Sequence, residues 1–171
     1  MSLLDIKPHE VSRDLRGYSV FFYGDPKSGK TTISSKFPKA LLLAFEKGYN
    51  ALPGVYAQPI NSWGEFKKLF SELKTPEVQE TFQTIVIDTA DIVYVYCEKF
   101  ICGREGVDTI GDIPYVKGYA LVSAEYAEEI RNILQHNYGL ILILYATPST
   151  DNNANEKPSA SKHFHILDLN W

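Results

Sequence analysis

Long apolar runs are missing from this sequence. The longest, Leu140 to Ala146, is far too short to span a bilayer, so no membrane segment is expected. The amino terminus, Met1-Ser2-Leu3-Leu4-Asp5, lacks the charged-then-apolar layout of a secretory signal, and a cytoplasmic protein is expected. Cysteine is scarce. Cys97 and Cys102 have no histidine nearby and match no zinc or redox pattern, so they read as small packing residues in a reducing compartment. His163 and His165 stand two apart without a third ligand, a weak basis for a metal site. Neither sign of charge dominates. A net charge of -4 argues against a generally basic nucleic-acid binder and against an acidic disordered tail, so any DNA contact needs a local patch. Only four arginines occur, Arg13, Arg16, Arg104 and Arg131, which argues against the arginine-rich lid of a small-molecule kinase.

What is present centres on Gly24-Asp25-Pro26-Lys27-Ser28-Gly29-Lys30-Thr31, a complete GxxxxGK[ST] loop after an apolar run from Tyr18 to Tyr23 that reads as a buried strand. The chemistry needs these residue types at this spacing. Glycines let backbone N–H groups curl round a phosphate, and the helix opening at Gly29 turns its positive end toward the same oxygens. Lys30 can reach the β- and γ-phosphates, and the Thr31 hydroxyl can serve Mg²⁺. Average residue usage produces the pattern by chance in about one per cent of chains of this length.

Other apolar runs extend the pattern. Ala40 to Phe45 is a strand covered on both faces and ends at Glu46, before the loop Lys47-Gly48-Tyr49-Asn50. Val55 to Gln58 is a short strand closed by Pro59, and Ser62-Trp63-Gly64-Glu65 has capping-box spacing before a helix with Phe66, Leu69, Phe70 and Leu73 on its apolar face. Pro76 to Thr81 reads as a polar connection. Thr84 to Thr89 is again an apolar strand ending in a carboxylate, Asp88, at the end where open α/β sheets bind ligands. Asp88 is read as the magnesium acid; the competing role is helix N-cap, for which Asp91 also stands, since Ile92 to Ile101 is helical in pattern.

Residues 102–120, with four glycines and Pro114, read as a long loop. Leu121 to His136 is an amphipathic helix and Gly139 to Ala146 another buried strand, followed by a polar, flexible loop at 149–162 and an alternating strand at His163 to Leu169. Length and pattern predict one domain over residues 1–171, with 1–16 as an amino-terminal arm.

This order of features, with the phrases Pro26-Lys27-Ser28-Gly29-Lys30-Thr31-Thr32, Phe45-Glu46-Lys47-Gly48-Tyr49 and Ile87-Asp88-Thr89-Ala90-Asp91, resembles the RecA-like P-loop ATPases, in particular the phage nucleotide-binding proteins of AAA type associated with single-strand annealing and recombination. The resemblance covers about Tyr18 to Ala146. It implies a three-layer α/β P-loop NTPase with a mainly parallel sheet, in which the strand from Gly139 lies between the phosphate-loop and Asp88 strands. It implies ATP and Mg²⁺ as cofactors, with residues Gly24 to Thr32 holding nucleotide, Thr31 and Asp88 the metal, and Lys30 and Glu46 acting in catalysis, Glu46 by activating water. Glu46 has a plainer reading as a solvated loop acid beside Lys47.

By the same resemblance the partners are single-stranded DNA, met by the loops at 102–120 and 149–162, recombination or single-strand-binding proteins, and further copies of the chain in a ring or filament. The sequence departs from the family where a polar γ-phosphate sensor is expected: Leu144-Tyr145 stands there, leaving Tyr145 or Thr147 for that task. Lys157 and Lys162, and less well Arg104, are substitutes for basic residues supplied by a neighbouring subunit. Three functions compete: a DNA-linked ATPase, a nucleotide-dependent interaction module with little hydrolysis, and a nucleotide or small-molecule kinase.

Overall fold

The computed structural model describes residues 14–145, so the loop at 149–162, the strand at 163–169, Thr147, Lys157, Lys162 and most of the amino-terminal arm lie outside the described residues. In order the elements are β1 (Ser19–Gly24), α1 (Lys30–Ser34), β2 (Ala40–Ala44), a 3₁₀ turn (Lys47–Ala51), β3 (Tyr56–Pro59), α2 (Trp63–Leu73), α3 (Pro76–Thr81), β4 (Thr84–Asp88), α4 (Ala90–Glu105), 3₁₀ turns at Ile110–Asp112 and Pro114–Val116, α5 (Lys117–Gln135) and β5 (Gly139–Tyr145).

The strands form one sheet in the order β1-β5-β4-β2-β3, and every pair is parallel. This is the three-layer α/β P-loop NTPase fold, and β5 lies between the phosphate-loop strand and β4 as expected. Parallel strands joined by crossovers bury both faces, which is why β2, β4 and β5 read as continuous apolar runs.

The two faces are unequal. Leu41, Leu43, Phe45, Ile85, Ile87, Leu140, Leu142 and Leu144 point into a large core with the apolar sides of α2, α4 and α5. Alternate residues Leu42, Ala44, Val86, Ile141 and Ile143 form a smaller cluster with Phe22, Phe37 and Tyr49. Phe37, just past α1, meets Phe22 of β1 at 6.3 Å between ring centroids. The site described below belongs to this thinner side.

The sequence reading is corrected at β1 and at two connections. β1 is not a buried strand: it ends the strand order among the described residues, none of its six residues is buried, and Phe21 and Tyr23 are exposed, because only one neighbouring strand and little helix cover it. The loop expected at 102–120 is shorter, because α4 runs on to Glu105, ends at Gly106 in the left-handed conformation, and α5 begins at Lys117. Gly118 allows that early start. A Cβ there would come within 2.5 Å of Ile110 Cγ2 and of the Ile110 carbonyl, so only glycine lets α5 close on the preceding turn. The connection expected at 76–81 is a short helix with Pro76 in its first turn, where a missing N–H costs nothing.

The Ser62 cap forms as expected, its hydroxyl accepting from Glu65 N–H at 3.2 Å, while Glu65 reaches back to the Asn61 N–H at 2.8 Å. On the thick side, Glu125 of α5 ties three helices together. Its Oε1 accepts from Trp63 Nε1 at 3.1 Å and Lys67 Nζ at 2.7 Å, both on α2, and Arg104 of α4 lies 3.7 Å from Oε2. Burial alone would raise the Glu125 pKa, but the hydrogen bonds from Lys67 and Trp63 and the charges of Lys67 and Arg104 outweigh it and hold it low.

Glu125→Ala is therefore expected to destabilise the fold by about 1–3 kcal/mol near neutral pH, since it strips a partner from the indole N–H of buried Trp63. A group with a depressed folded pKa stabilises above its unfolded value and loses that contribution as pH falls through the folded one. Urea denaturation of both proteins checks this: the gap between them should narrow on acidification below about 4.5.

Candidate nucleotide-binding site

The loop between β1 and α1 turns on Gly29, which sits at φ +88° in the left-handed region that only glycine adopts without strain. Lys27, at φ +65°, is a second left-handed position in the same loop. Lys30 opens α1 and is buried, with its ammonium folded into the loop: Nζ donates to the Gly24 and Asp25 carbonyls at 2.8 Å each and to Ser28 Oγ at 3.4 Å. It also stands 4.9 Å from the ring centroid of Tyr145. Thr31, half-buried, donates its hydroxyl to Asp88 Oδ2 at 2.7 Å, while Thr32 faces solvent.

Register explains why these groups meet. Ala44, Asp88 and Ile143 stand opposite one another on β2, β4 and β5, and Gly24 stands opposite Tyr145. Pairing continues past β2, where Phe45 N–H donates to Asp88 C=O at 2.8 Å. Phe45 and Leu144 point into the thick core, so Glu46 and Tyr145, one residue further, return to the thinner face on either side of Asp88. There the Tyr145 hydroxyl donates to Glu46 Oε2 at 2.7 Å. Glu46 is half-buried and hydrogen-bonded, unlike a solvated loop acid.

Asp88 does not cap α4. The N-cap residue is Thr89 with no side-chain cap, and Asp91 accepts the Tyr145 backbone N–H through Oδ2 at 3.2 Å, pinning the end of β5 to α4. Burial, then the charge of Glu46, raises the Asp88 carboxyl above its ordinary value, against the Thr31 hydrogen bond and the Lys30 charge. The Tyr145 phenol is pushed up by burial first, then by its hydrogen bond to Glu46 and the charges of Glu46, Asp88 and Asp91, so it remains a donor.

Beside Thr31, Asp88 and Tyr145 lies a cavity of ≈ 350 Å³ lined by Pro26 to Thr32, Gly48, Ala51, Leu52, Asp88, Ile143 and Tyr145; Glu46 is not in its lining and joins it through the Tyr145 hydroxyl. A larger hollow of ≈ 610 Å³ beside α4, α5 and the Ile110 turn contains none of the motif residues. Arg104 is not at the site; it pairs with Glu105 and Glu125. Sequence reasoning missed Asp91 as the anchor of β5 and the segment 48–52 as a wall. Asp91 and Gly48 lie in phrases that carry the resemblance, but their tasks depend on which strand ends stand side by side.

Residues 16–170 match the family model described as an AAA domain. The chain belongs to the AAA domain family. AAA domains are P-loop ATPase modules, and the match covers the whole described site. This AAA domain is 35% identical over 141 residues to the SPbeta prophage-derived uncharacterized protein YorG of Bacillus subtilis (strain 168), covering 80% of the chain and 43% of that protein. It thus spans less than half the length of that relative.

The Thr31 hydroxyl is the hydrogen-bond donor that Asp88 holds in the buried end of the site. Thr31→Val should cost about 1–3 kcal/mol of folding stability in magnesium-free buffer by leaving that carboxylate without its donor. Thr31→Ser, which keeps the hydroxyl, should stay close to the parent; thermal and urea denaturation of the three proteins checks the pair.

Proposed function

We propose that this AAA domain binds ATP with Mg²⁺ and hydrolyses it. The observation that carries the proposal is the Thr31–Asp88 contact at 2.7 Å, which brings two hard oxygen donors together beside the phosphate loop. Those donors fit a magnesium ion, which would neutralise charge on the phosphates when bound. Lys30 supplies the fixed positive charge, residues Gly24 to Thr32 surround the phosphates, and Glu46 takes a proton from the attacking water and orients it.

We extend the proposal to the setting. The resemblance to phage recombination ATPases and the prophage origin of the relative support a role with single-stranded DNA and with recombination or single-strand-binding proteins, in the cytoplasm. No described helix is long and apolar enough to cross a membrane. A ring or filament of this chain is part of the same reading. Among the described residues no arginine lines the cavity: Arg16 pairs with Asp14, Arg104 with Glu105 and Glu125. That favours a second reading, an interaction module that binds nucleotide and turns it over slowly until another subunit or partner supplies the missing cation.

Phosphate release with and without single-stranded DNA separates the two. The expected result is Mg²⁺-dependent turnover, raised by DNA, lost in Glu46→Gln with ATP still bound, and lost in Lys30→Ala together with binding, weakened roughly a hundredfold or more. Tight binding with no turnover under any of these conditions would establish the interaction module instead.

A further inference from the structure

We propose that Tyr145 is the positioning residue for Glu46: its phenol holds the carboxylate over the Asp88 end of the site in the orientation needed to meet a water. The inference rests on Glu46 being the water-activating base. Glu46 sits two residues beyond β2, at the entrance to a 3₁₀ turn, with its backbone extended and no side-chain cap of its own to hold it. An acid placed there has rotamer freedom that catalysis must remove.

Tyr145 removes it from the other side of β4. Its backbone is fixed by the Asp91 hydrogen bond, its ring stands below the Lys30 ammonium at 4.9 Å, and its hydroxyl reaches Glu46 Oε2 at 2.7 Å. The tyrosine is therefore held at two points, its backbone and its ring, apart from its contact with the acid. The contact occupies one carboxylate oxygen and leaves the other chemically able to accept a proton from water. Since Tyr145 acts through Glu46, deleting its hydroxyl should matter only while Glu46 is a functioning base.

Tyr145→Phe keeps the ring beneath Lys30 and removes only the hydroxyl. Expected are ATP affinity and KM within about twofold of the parent and kcat lower by about ten- to a hundredfold. In the Glu46→Gln background the same change should lower residual turnover no further. A readout independent of turnover is the ¹³Cζ resonance of Tyr145 in tyrosine-labelled protein, assigned by its loss in Tyr145→Phe. In Glu46→Ala this resonance should move away from the phenolate end of its range as the hydrogen bond is lost. An equal kcat loss in both backgrounds, or a resonance indifferent to Glu46→Ala, would overturn the inference. A protein that binds ATP without hydrolysing it defeats the assigned catalysis, and the resonance then decides the contact by itself.

Discussion

The structure depends on one meeting point, the hydrogen bond from Thr31 to Asp88. It joins a helix that follows β1 to the end of β4, two strands that are not neighbours, because β5 runs between them. A contact across an intervening strand requires every strand to end at the same edge, which an all-parallel sheet supplies and a meander does not. The register makes this concrete: Ile143 of β5, opposite Asp88, lines the cavity beneath the contact, and Tyr145, opposite Gly24, closes its side.

Charge follows from the same crowding. Asp88, Glu46 and Asp91 come to adjacent positions at the edge, with Lys30 as the buried cation among them, and the raised pKa of Asp88 reflects a carboxylate that is both desolvated and near another acid. A bound divalent cation reverses that balance, since it is the largest local charge in any site it occupies. Phosphates add negative charge, so acids and nucleotide can share the space only with metal and lysine between them. The excess of local acid is therefore what the proposed nucleotide-bound metal would balance.

Much of this was legible in the sequence because it is local. The GxxxxGK[ST] spacing, the apolar runs of β2, β4 and β5, the capping box at Ser62 and the carboxylates that close two strands all act within a few residues. The strand order came through a family resemblance, and the structure bears it out. What was not legible is non-local. Gly118 read as a loop glycine, whereas its lack of a Cβ admits the Ile110 turn and moves the start of α5 forward. Tyr145 stood as one of two residues for sensing phosphate, and its contact with Glu46, 99 positions away in the chain, exists only because β5 and β2 flank β4. Asp91 competed with Asp88 for a capping role that neither side chain fills.

The unequal faces of the sheet separate stability from chemistry. The thick side holds Trp63, Phe66, Tyr126 and the helices tied through Glu125, and none of these lines the cavity. The thinner side carries Thr31, Glu46, Asp88 and Tyr145 at its carboxyl edge, beside a small cluster of five buried residues. Because side chains alternate along a strand, one residue's shift in register would exchange the two roles, sending Phe45 and Leu144 into the site and Glu46 and Tyr145 into the core. Burying that acid in apolar surroundings would be far costlier than exposing the leucine. The chemistry of the strand ends thus helps fix the register that the apolar runs, hydrophobic on both faces, leave underdetermined.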